Sequence, residues 1–266
     1  MPVNIVVLVK QVPDTGAERT LSQTDHRLDR EDADLVLDEI NERAAEEALS
    51  LKETMKETTD AHITVVSMGP DSALEAIRKV LAMGADRGIH ICDDRLRGAD
   101  VLTTAKVLAA AVRTVEDVDL VLAGDTTTDG RASAVPAVVA DLLALPQVTH
   151  VRKLDVDAGR VRAERETENG EATLEAPLPA LVSVTEKINE PRYPSFKGIM
   201  AAKKKPVDTV DLDDLFPDAD DAGFLVTRTR VLEAVPRPPR SAGTRVTDDG
   251  SAGRQLAVYL IAQKLV

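Results

Sequence analysis

The densest chemistry in the sequence lies in one stretch, Gly124-Asp125-Thr126-Thr127-Thr128-Asp129-Gly130-Arg131-Ala132-Ser133. Glycine lets a backbone approach a ligand closely, hydroxyls and main-chain amides at a helix start donate to an anion, and Arg131 can pair it. Binding a single phosphate requires that combination, although a solvated strand–helix loop capped by Thr and Asp has the same composition. Catalytic constellations are poor elsewhere. His26, His62, His90 and His150 fall on different segments without ligand spacing, so each reads as structural and no metal site is expected. There is no Walker sequence, no G-x-S-x-G and no H-E-x-x-H. Cys92, the single cysteine, stands at a strand end and reads as a buried small hydrophobe. One cysteine excludes an intramolecular disulfide framework and a cysteine-based zinc or iron–sulfur site.

A second stretch carries recognition rather than reaction chemistry: Ile188-Asn189-Glu190-Pro191-Arg192-Tyr193-Pro194-Ser195-Phe196-Lys197-Gly198-Ile199-Met200, running on to Lys203-Lys204-Lys205-Pro206. Two of the five aromatics and four of the twelve lysines of the chain fall here. Pro191 and Pro194 stiffen a loop that exposes Tyr193 or Phe196, and exposed aromatics on rigid loops anchor interfaces.

The elements around these stretches follow from hydrophobic periodicity. Val3–Val9 is a continuous β-branched and aliphatic run, a buried parallel strand. Residues 10–37 are charged and nearly periodless, an irregular excursion. Residues 39–57 place Ile40, Ala44, Ala48, Leu51 and Met55 three and four apart, an amphipathic helix. Strands follow at 62–67, 87–92 and 118–123. Helices are expected from Asp71 or Ser72, as cap, to Met83, over residues 99–115, and over 131–143 with a start delayed by Pro136. This alternation predicts a doubly wound, mostly parallel α/β sheet of Rossmann-like, nucleotide-binding type. In such a sheet ligands bind beyond the carboxyl ends of the strands, at the topological switch point, where residues 8–12, 38–41, 68–72 and 124–134 converge.

After Pro146 the period becomes two. Residues 148–156, 160–166 and 171–175 read as short strands joined by turns at 157–159 and at Asn169-Gly170, a β-hairpin region, with a further core strand at 180–185. The chain then divides into a domain of residues 1–207 and an extended C-terminal arm of residues 208–266. The arm holds an acidic run at 208–221, a Pro/Arg stretch at 236–240 and an amphipathic helix at 252–264. Its low apolar content predicts that it wraps the domain or packs on a partner.

Lys and Arg total 33 against 46 Asp and Glu, a net charge of −13, which argues against binding nucleic acid or an anionic membrane surface. No apolar run approaches the roughly 20 residues of a membrane helix, and the first ten residues carry no basic n-region or cleavage site. A cytoplasmic protein that is not integral to the membrane is expected. Asp (28) far exceeds Lys (12), a bias that suggests a proteome adapted to high salt.

The stretch at 188–206 resembles the signature of the electron transfer flavoprotein beta subunit, which reads N-E-P-R-Y, a short variable loop, I-M and a lysine cluster. Val6-Val7-Leu8-Val9-Lys10-Gln11-Val12-Pro13-Asp14 is similar to the family's opening strand. Ser67-Met68-Gly69-Pro70, Leu81-Ala82-Met83-Gly84-Ala85-Asp86-Arg87 and Asp119-Leu120-Val121-Leu122-Ala123-Gly124 also match in order, so the resemblance spans residues 3–206. It implies a heterodimer with an alpha subunit, FAD at the interface held mainly by alpha, and AMP in the beta subunit. Such a carrier takes electrons from flavin dehydrogenases such as acyl-CoA dehydrogenase to a membrane quinone oxidoreductase, and is no stand-alone enzyme. Positions matching the nucleotide contacts are Leu8, Asp38, Glu39, Ile40, Asn41, Met68, Gly124, Asp125, Thr126, Thr127, Thr128, Asp129, Gly130, Arg131, Ala132, Ser133, Ala134 and Val135, with Ile40 nearest the flavin. Arg192, Tyr193, Phe196, Lys197, Ile199 and Met200 match the partner-docking loop, Phe196 its apolar anchor at a turn tip, and Glu166 a residue that contacts the moving flavin domain.

The family loop usually reads G-x-Q-A-x-D-G-D-x-x-Q-x-G. Here Thr126, Arg131, Ser133 and Val135 replace its Gln, second Asp and later Gln–Gly positions. Electron-bifurcating relatives hold a second FAD with that pattern, so its loss weakens the bifurcating alternative, in which a second FAD takes the place of AMP. An alternative of another class is an adenine-nucleotide enzyme or a stress-type nucleotide sensor on the same sheet. The absence of a Ser/Gly pyrophosphate loop argues against that enzyme.

The acidic bias predicts salt-dependent stability. Melting temperature should rise clearly between low and molar KCl, because screening relieves carboxylate repulsion. A melting temperature flat across that range would remove the high-salt reading.

Overall fold

The computed structural model describes residues 2–30, 33–55, 59–157, 159–217, 227–235, 237–240, 243 and 245–266. Its first compact unit is Met1–Val231 and its second Leu232–Val266.

The first unit is built on β1 (Val3–Val9), whose β-branched run buries both faces and places it at the sheet centre. It pairs in parallel with β4 (Ala61–Met68) on one side and β6 (Val118–Gly124) on the other, Val7 standing opposite Val65 and Leu122. Beyond β4 lie β5 (Arg87–Ile91) and the edge strand β11 (Val207–Val210). Beyond β6 lie β10 (Ala180–Val184), β7 (Gln147–Asp157), β8 (Arg160–Thr167) and β9 (Gly170–Pro177). The sheet is parallel as far as β7, after which β7, β8 and β9 form an antiparallel meander.

Helices cover both faces, as the doubly wound expectation requires. α1 (Glu39–Met55) and α2 (Leu74–Met83) pack on one face through Ala44, Ala48, Leu49, Ile77 and Leu81. α3 (Val101–Arg113) and α4 (Val135–Leu142) cover the other through Ala105, Leu108, Val112 and Val139. Ile63, Leu120, Leu122 and Leu181 between them are fully buried, and each such side chain contributes about 1.5–3 kcal/mol by leaving water.

Several local expectations change. The excursion at 10–37 is not wholly irregular: β2 (Gln11–Pro13) and β3 (Leu35–Leu37) pair antiparallel as a ribbon at the end of β1. Neither Asp71 nor Ser72 caps α2. A 3-10 turn, Asp71–Ala73, leads into it from Pro70, and the Ser72 hydroxyl instead donates to Gln11 Oε1 at 2.9 Å. The first helix ends at Met55 among the described residues, and positions 56–57 of its expected span lie outside them, as does 158 of the first hairpin turn.

The stretch at 188–206 is more ordered than a stiff loop. Ser195 caps a short helix, α5 (Phe196–Ala202), by accepting from the Gly198 amide at 3.0 Å. Phe196 is therefore a helix start rather than a turn tip. The expected arm boundary at 208 also moves. Residues 207–210 complete the sheet as β11, and α6 (Leu212–Leu215) follows with a capping box from Asp211 and Leu212 buried. Val-Asp-Thr-Val is too short to carry a strand signal and sits at the edge of an acidic run. Positions 218–221 of that run, and 236 of the Pro/Arg stretch, lie outside the described residues.

In the second unit, α7 (Ala252–Ala262) ends two residues before its expected limit, and Leu256, Val258, Tyr259 and Ile261 are exposed. Among the described residues no helix is long and apolar enough to cross a membrane.

Candidate functional site

An open cleft of about 630 Å³ lies where β1 and β6 end, the point at which the chain leaves one half of the sheet for the other. Its wall is formed by Glu39, Ile40 and Arg43 of α1 and by Thr126, Thr127, Thr128, Arg131 and Ser133 after β6, with Thr15 and Glu186 at the rim.

The cleft exists because Asp38 joins its two walls. Its fully buried carboxylate accepts from the Ile40 and Asn41 amides at 3.1 Å with Oδ1, tying the first turn of α1. Oδ2 accepts from the Thr128 amide at 2.7 Å and the Thr128 hydroxyl at 2.9 Å. Gly124 permits the approach: a Cβ there would sit 2.4 Å from Asn41 Nδ2 and 3.1 Å from Ile40 Cγ2.

A second carboxylate shapes the far end of the loop. Asp129 accepts from Lys10 Nζ at 2.8 and 2.9 Å and from Arg30 Nη2 at 2.5 Å, its own side chain fully covered. Burial alone would raise its pKa, but Lys10, Thr127 and Arg30 outweigh that and hold it well below the ordinary value of 3.8. Arg19 donates to the Thr128 carbonyl, so the excursion after β2 straps the loop from outside.

With these groups satisfied internally, the atoms left for a ligand are few and specific. Thr126 Oγ1 is buried without a hydrogen-bond partner. Arg131 is exposed and makes no ion pair among the described residues. Arg131 and Ser133 both take positive φ, 50° and 51°, a left-handed backbone that reverses the chain before α4. Ala134 caps α4 without a side-chain bond, so its first amides are uncapped by this chain's side chains. An orphaned hydroxyl, a free cation and an uncapped helix start fit the phosphate and sugar of a nucleotide.

The structure separates the sequence-predicted residues into groups. Glu39, Ile40, Thr126, Thr127, Thr128, Arg131 and Ser133 line the cleft. Asp38, Asn41, Gly124 and Asp129 position it from behind. Asp125 pairs instead with His150, Oδ2 to Nδ1 at 3.0 Å. Gly130, Ala132 and Ala134 continue the loop and Val135 opens α4, none of them lining the cleft. A Cβ at Gly130 would meet nothing closer than 3.7 Å, so steric room is not what selects glycine there. Leu8 and Met68 pack on the α3–α4 face with Val6, Val66 and Ile91, because strand alternation turns them away from α1. Lys10 falls in the 8–12 segment expected at this end of the sheet, but nothing in the sequence ties it or Arg30 to Asp129, or Arg19 to Thr128.

Among the other histidines, His90 is buried with Nε2 3.2 Å from the Gly69 and Pro70 carbonyls, and His62 is exposed. Cys92 is half-buried rather than buried. Desolvation and the Asp71 carboxylate, which accepts from its Sγ at 3.5 Å, raise its pKa and disfavour a thiolate.

On the docking side, Tyr193 is 96% and Phe196 81% exposed, with Ile199, Met200 and Lys197 also outward. Arg192 is half-buried, and its guanidinium is engaged by Glu46 and Glu53. Glu166 on β8 is exposed and accepts from Lys187 Nζ at 2.5 Å, an interaction that lowers its pKa.

Residues 26–215 match the model of the electron transfer flavoprotein domain. The fold is thus that of an electron transfer flavoprotein domain. The beta subunit of electron transfer flavoprotein from Mycobacterium tuberculosis is 53% identical over 266 residues, covering 99% of both chains. That of Mycobacterium leprae is 52% identical over 266 residues, and that of Megasphaera elsdenii 34% over 272 residues, with at least 98% of each chain covered. This chain belongs to the electron transfer flavoprotein beta subunit family, an electron-transfer subunit rather than a self-contained enzyme.

Because the folded-state pKa of Asp129 is lowered, its ionised form stabilises the fold above the unfolded value and loses that effect as pH falls. Asp129→Asn should cost about 1–3 kcal/mol at pH 7, discounted for the half-exposed cations. The gap from the wild type should narrow below pH 3.8, read by urea unfolding at stepped pH. A gap independent of pH would contradict the charge assignment.

Proposed function

We propose that this chain works as one half of a cytoplasmic heterodimer with an alpha subunit, with AMP in the cleft and FAD at the subunit interface. The heterodimer accepts electrons from flavin dehydrogenases, acyl-CoA dehydrogenases foremost, and delivers them to a membrane quinone oxidoreductase. The exposure of Tyr193 and Phe196 on a helix-capped segment carries the reading, since an apolar side chain held in water is an interface anchor.

The bound flavin supplies reversible electron storage; the protein supplies place and access. Ile40, at the cleft, gives an apolar contact that keeps water from the flavin side. Arg131 pairs the adenylate phosphate, and the Thr126 hydroxyl, otherwise without a partner, bonds a ribose or phosphate oxygen. Asp38 and Asp129 hold the loop without touching the ligand. Glu166 offers an exposed carboxylate to the flavin domain of the alpha subunit, and the exposed apolar residues of α7 pack on that subunit. Phe196 anchors the dehydrogenase by filling a pocket, a contact tolerant enough for several partners.

Nucleotides released from the purified heterodimer and measured by mass spectrometry should give one AMP and one FAD. Arg131→Met should lower AMP content at least severalfold and leave FAD in place. Two FADs per heterodimer would instead establish the bifurcating alternative. Phe196→Ala should weaken dehydrogenase binding by about 2–4 kcal/mol, seen as a raised KM with flavin absorbance unchanged. Wild-type KM would remove Phe196 as the anchor.

A further inference from the structure

Arg192 lies in the docking stretch, yet its charge is spent inside the molecule. Its Nε donates to both oxygens of Glu46, at 3.1 and 2.9 Å, and its Nη2 to Glu46 Oε1 at 2.9 Å. The same guanidinium reaches Glu53, Nη1 to Oε1 at 2.5 Å and Nη2 to Oε2 at 3.1 Å. Its backbone amide also donates to Glu46 Oε2, at 3.1 Å. Three residues upstream, Asn189 Nδ2 donates to the Arg43 carbonyl at 3.1 Å and to Glu47 Oε2 at 2.9 Å. Burial raises the Glu47 pKa, the Asn189 bond opposing it.

Glu46, Glu47 and Glu53 all stand on α1. Glu46 and Glu47 are buried although a helix of this pattern would turn such residues to solvent. A planar fork between two carboxylates is the most directional ionic contact a side chain can make, and lysine cannot reproduce it. Downstream, the segment is held again. Arg78 of α2 donates to the Ala202 and Lys205 carbonyls at 2.7 and 2.8 Å, and Lys205 Nζ donates to Leu81 and Ala85 carbonyls at 2.9 and 2.6 Å. Gly198 passes so close to α2 that a Cβ would sit 2.3 Å from the Ala82 carbonyl. Between these two fixed ends only residues 193–197 remain, and Tyr193 and Phe196 both lie there, exposed.

We propose that Glu46 and Glu53 are positioning residues for partner docking, acting through Arg192 to hold Tyr193 and Phe196 in the conformation a dehydrogenase engages. The inference rests on the reading of residues 189–202 as the docking segment. Neither glutamate touches the partner. Their contribution is to lower the entropy of ordering the segment, because a preorganised anchor loses less freedom on binding. α1 thereby serves two sites: its first turn walls the nucleotide cleft, and its middle turns fix the docking segment.

The test uses the intact heterodimer carrying Glu46→Gln, Glu53→Gln, Arg192→Lys, Phe196→Ala, or Glu46→Gln with Phe196→Ala. Amide hydrogen exchange over residues 190–199 should speed up at least tenfold in Glu46→Gln and Arg192→Lys, severalfold in Glu53→Gln, and remain unchanged in Phe196→Ala. In steady-state reduction by the dehydrogenase, Glu46→Gln should raise KM roughly five- to tenfold with kcat and flavin content unchanged. In the Phe196→Ala background, Glu46→Gln should add less than a twofold change, because the anchor it presents is already gone. Unchanged exchange in both glutamate variants would overturn the tie. Faster exchange with wild-type KM, while Phe196→Ala raises KM, would overturn its role in docking. An unaltered KM in Phe196→Ala would instead defeat the docking assignment itself. Should Glu46→Gln fail to fold, Glu53→Gln decides, since that carboxylate is largely exposed.

Discussion

The carboxylate of Asp38 has four hydrogens directed at it and no route to solvent, and the geometry of the cleft follows from satisfying it. Two come from the first turn of α1 and two from Thr128 on the loop after β6. A buried carboxyl group is tolerable only when its polar atoms are hydrogen-bonded, so a shift of either wall strands an unsatisfied polar group in the interior. Helix and loop are therefore locked at one separation, and Gly124 is the residue small enough to permit it. Thr126, Arg131 and Ser133 face the cleft because Thr128 is held between them.

The same device recurs at two other places. Asp129 is covered by Lys10 and Arg30, and Glu46 by Arg192. In each case an acidic group on one element captures a cation from a segment distant in sequence, and the pair takes its geometry from the charge that would otherwise be left unpaired. A chain with far more carboxylates than cations has spare acids for this purpose, and here several work as internal fasteners rather than as surface charge. These ties hold irregular segments that have little apolar surface of their own to bury.

Function in such a subunit depends on rigid placement more than on reactive groups. The parallel sheet supplies a rigid floor, because β1, β4, β6 and β10 are buried on both faces. The cleft opens at the switch point of that floor, and the segment at 189–205 lies across α1 and α2, two of the helices that cover it. α1 reaches both the cleft, through Glu39, Ile40 and Arg43, and the segment at 189–192, through Glu46, Glu47 and Glu53.

The sequence by itself determined the periodic part of this protein. Aliphatic runs named the parallel strands, three- and four-residue spacing named α1 to α4, and Asn169-Gly170 announced the hairpin, because burial on a regular element leaves a regular trace. It also marked the loop at 124–133 and the motif at 189–206 by composition and resemblance. Only the tertiary structure decided which of those residues face the cleft. Asp38 and Asp129 turned inward because their partners, Thr128, Lys10 and Arg30, arrive from up to 119 positions away. β11, α5 and the burial of Glu46 were equally hidden: a short strand in an acidic run, a two-turn helix and a glutamate on a helix look like surface until a neighbour covers them. Long-range ion pairs leave no period in a sequence, since nothing local to either residue records where its counter-charge will come from.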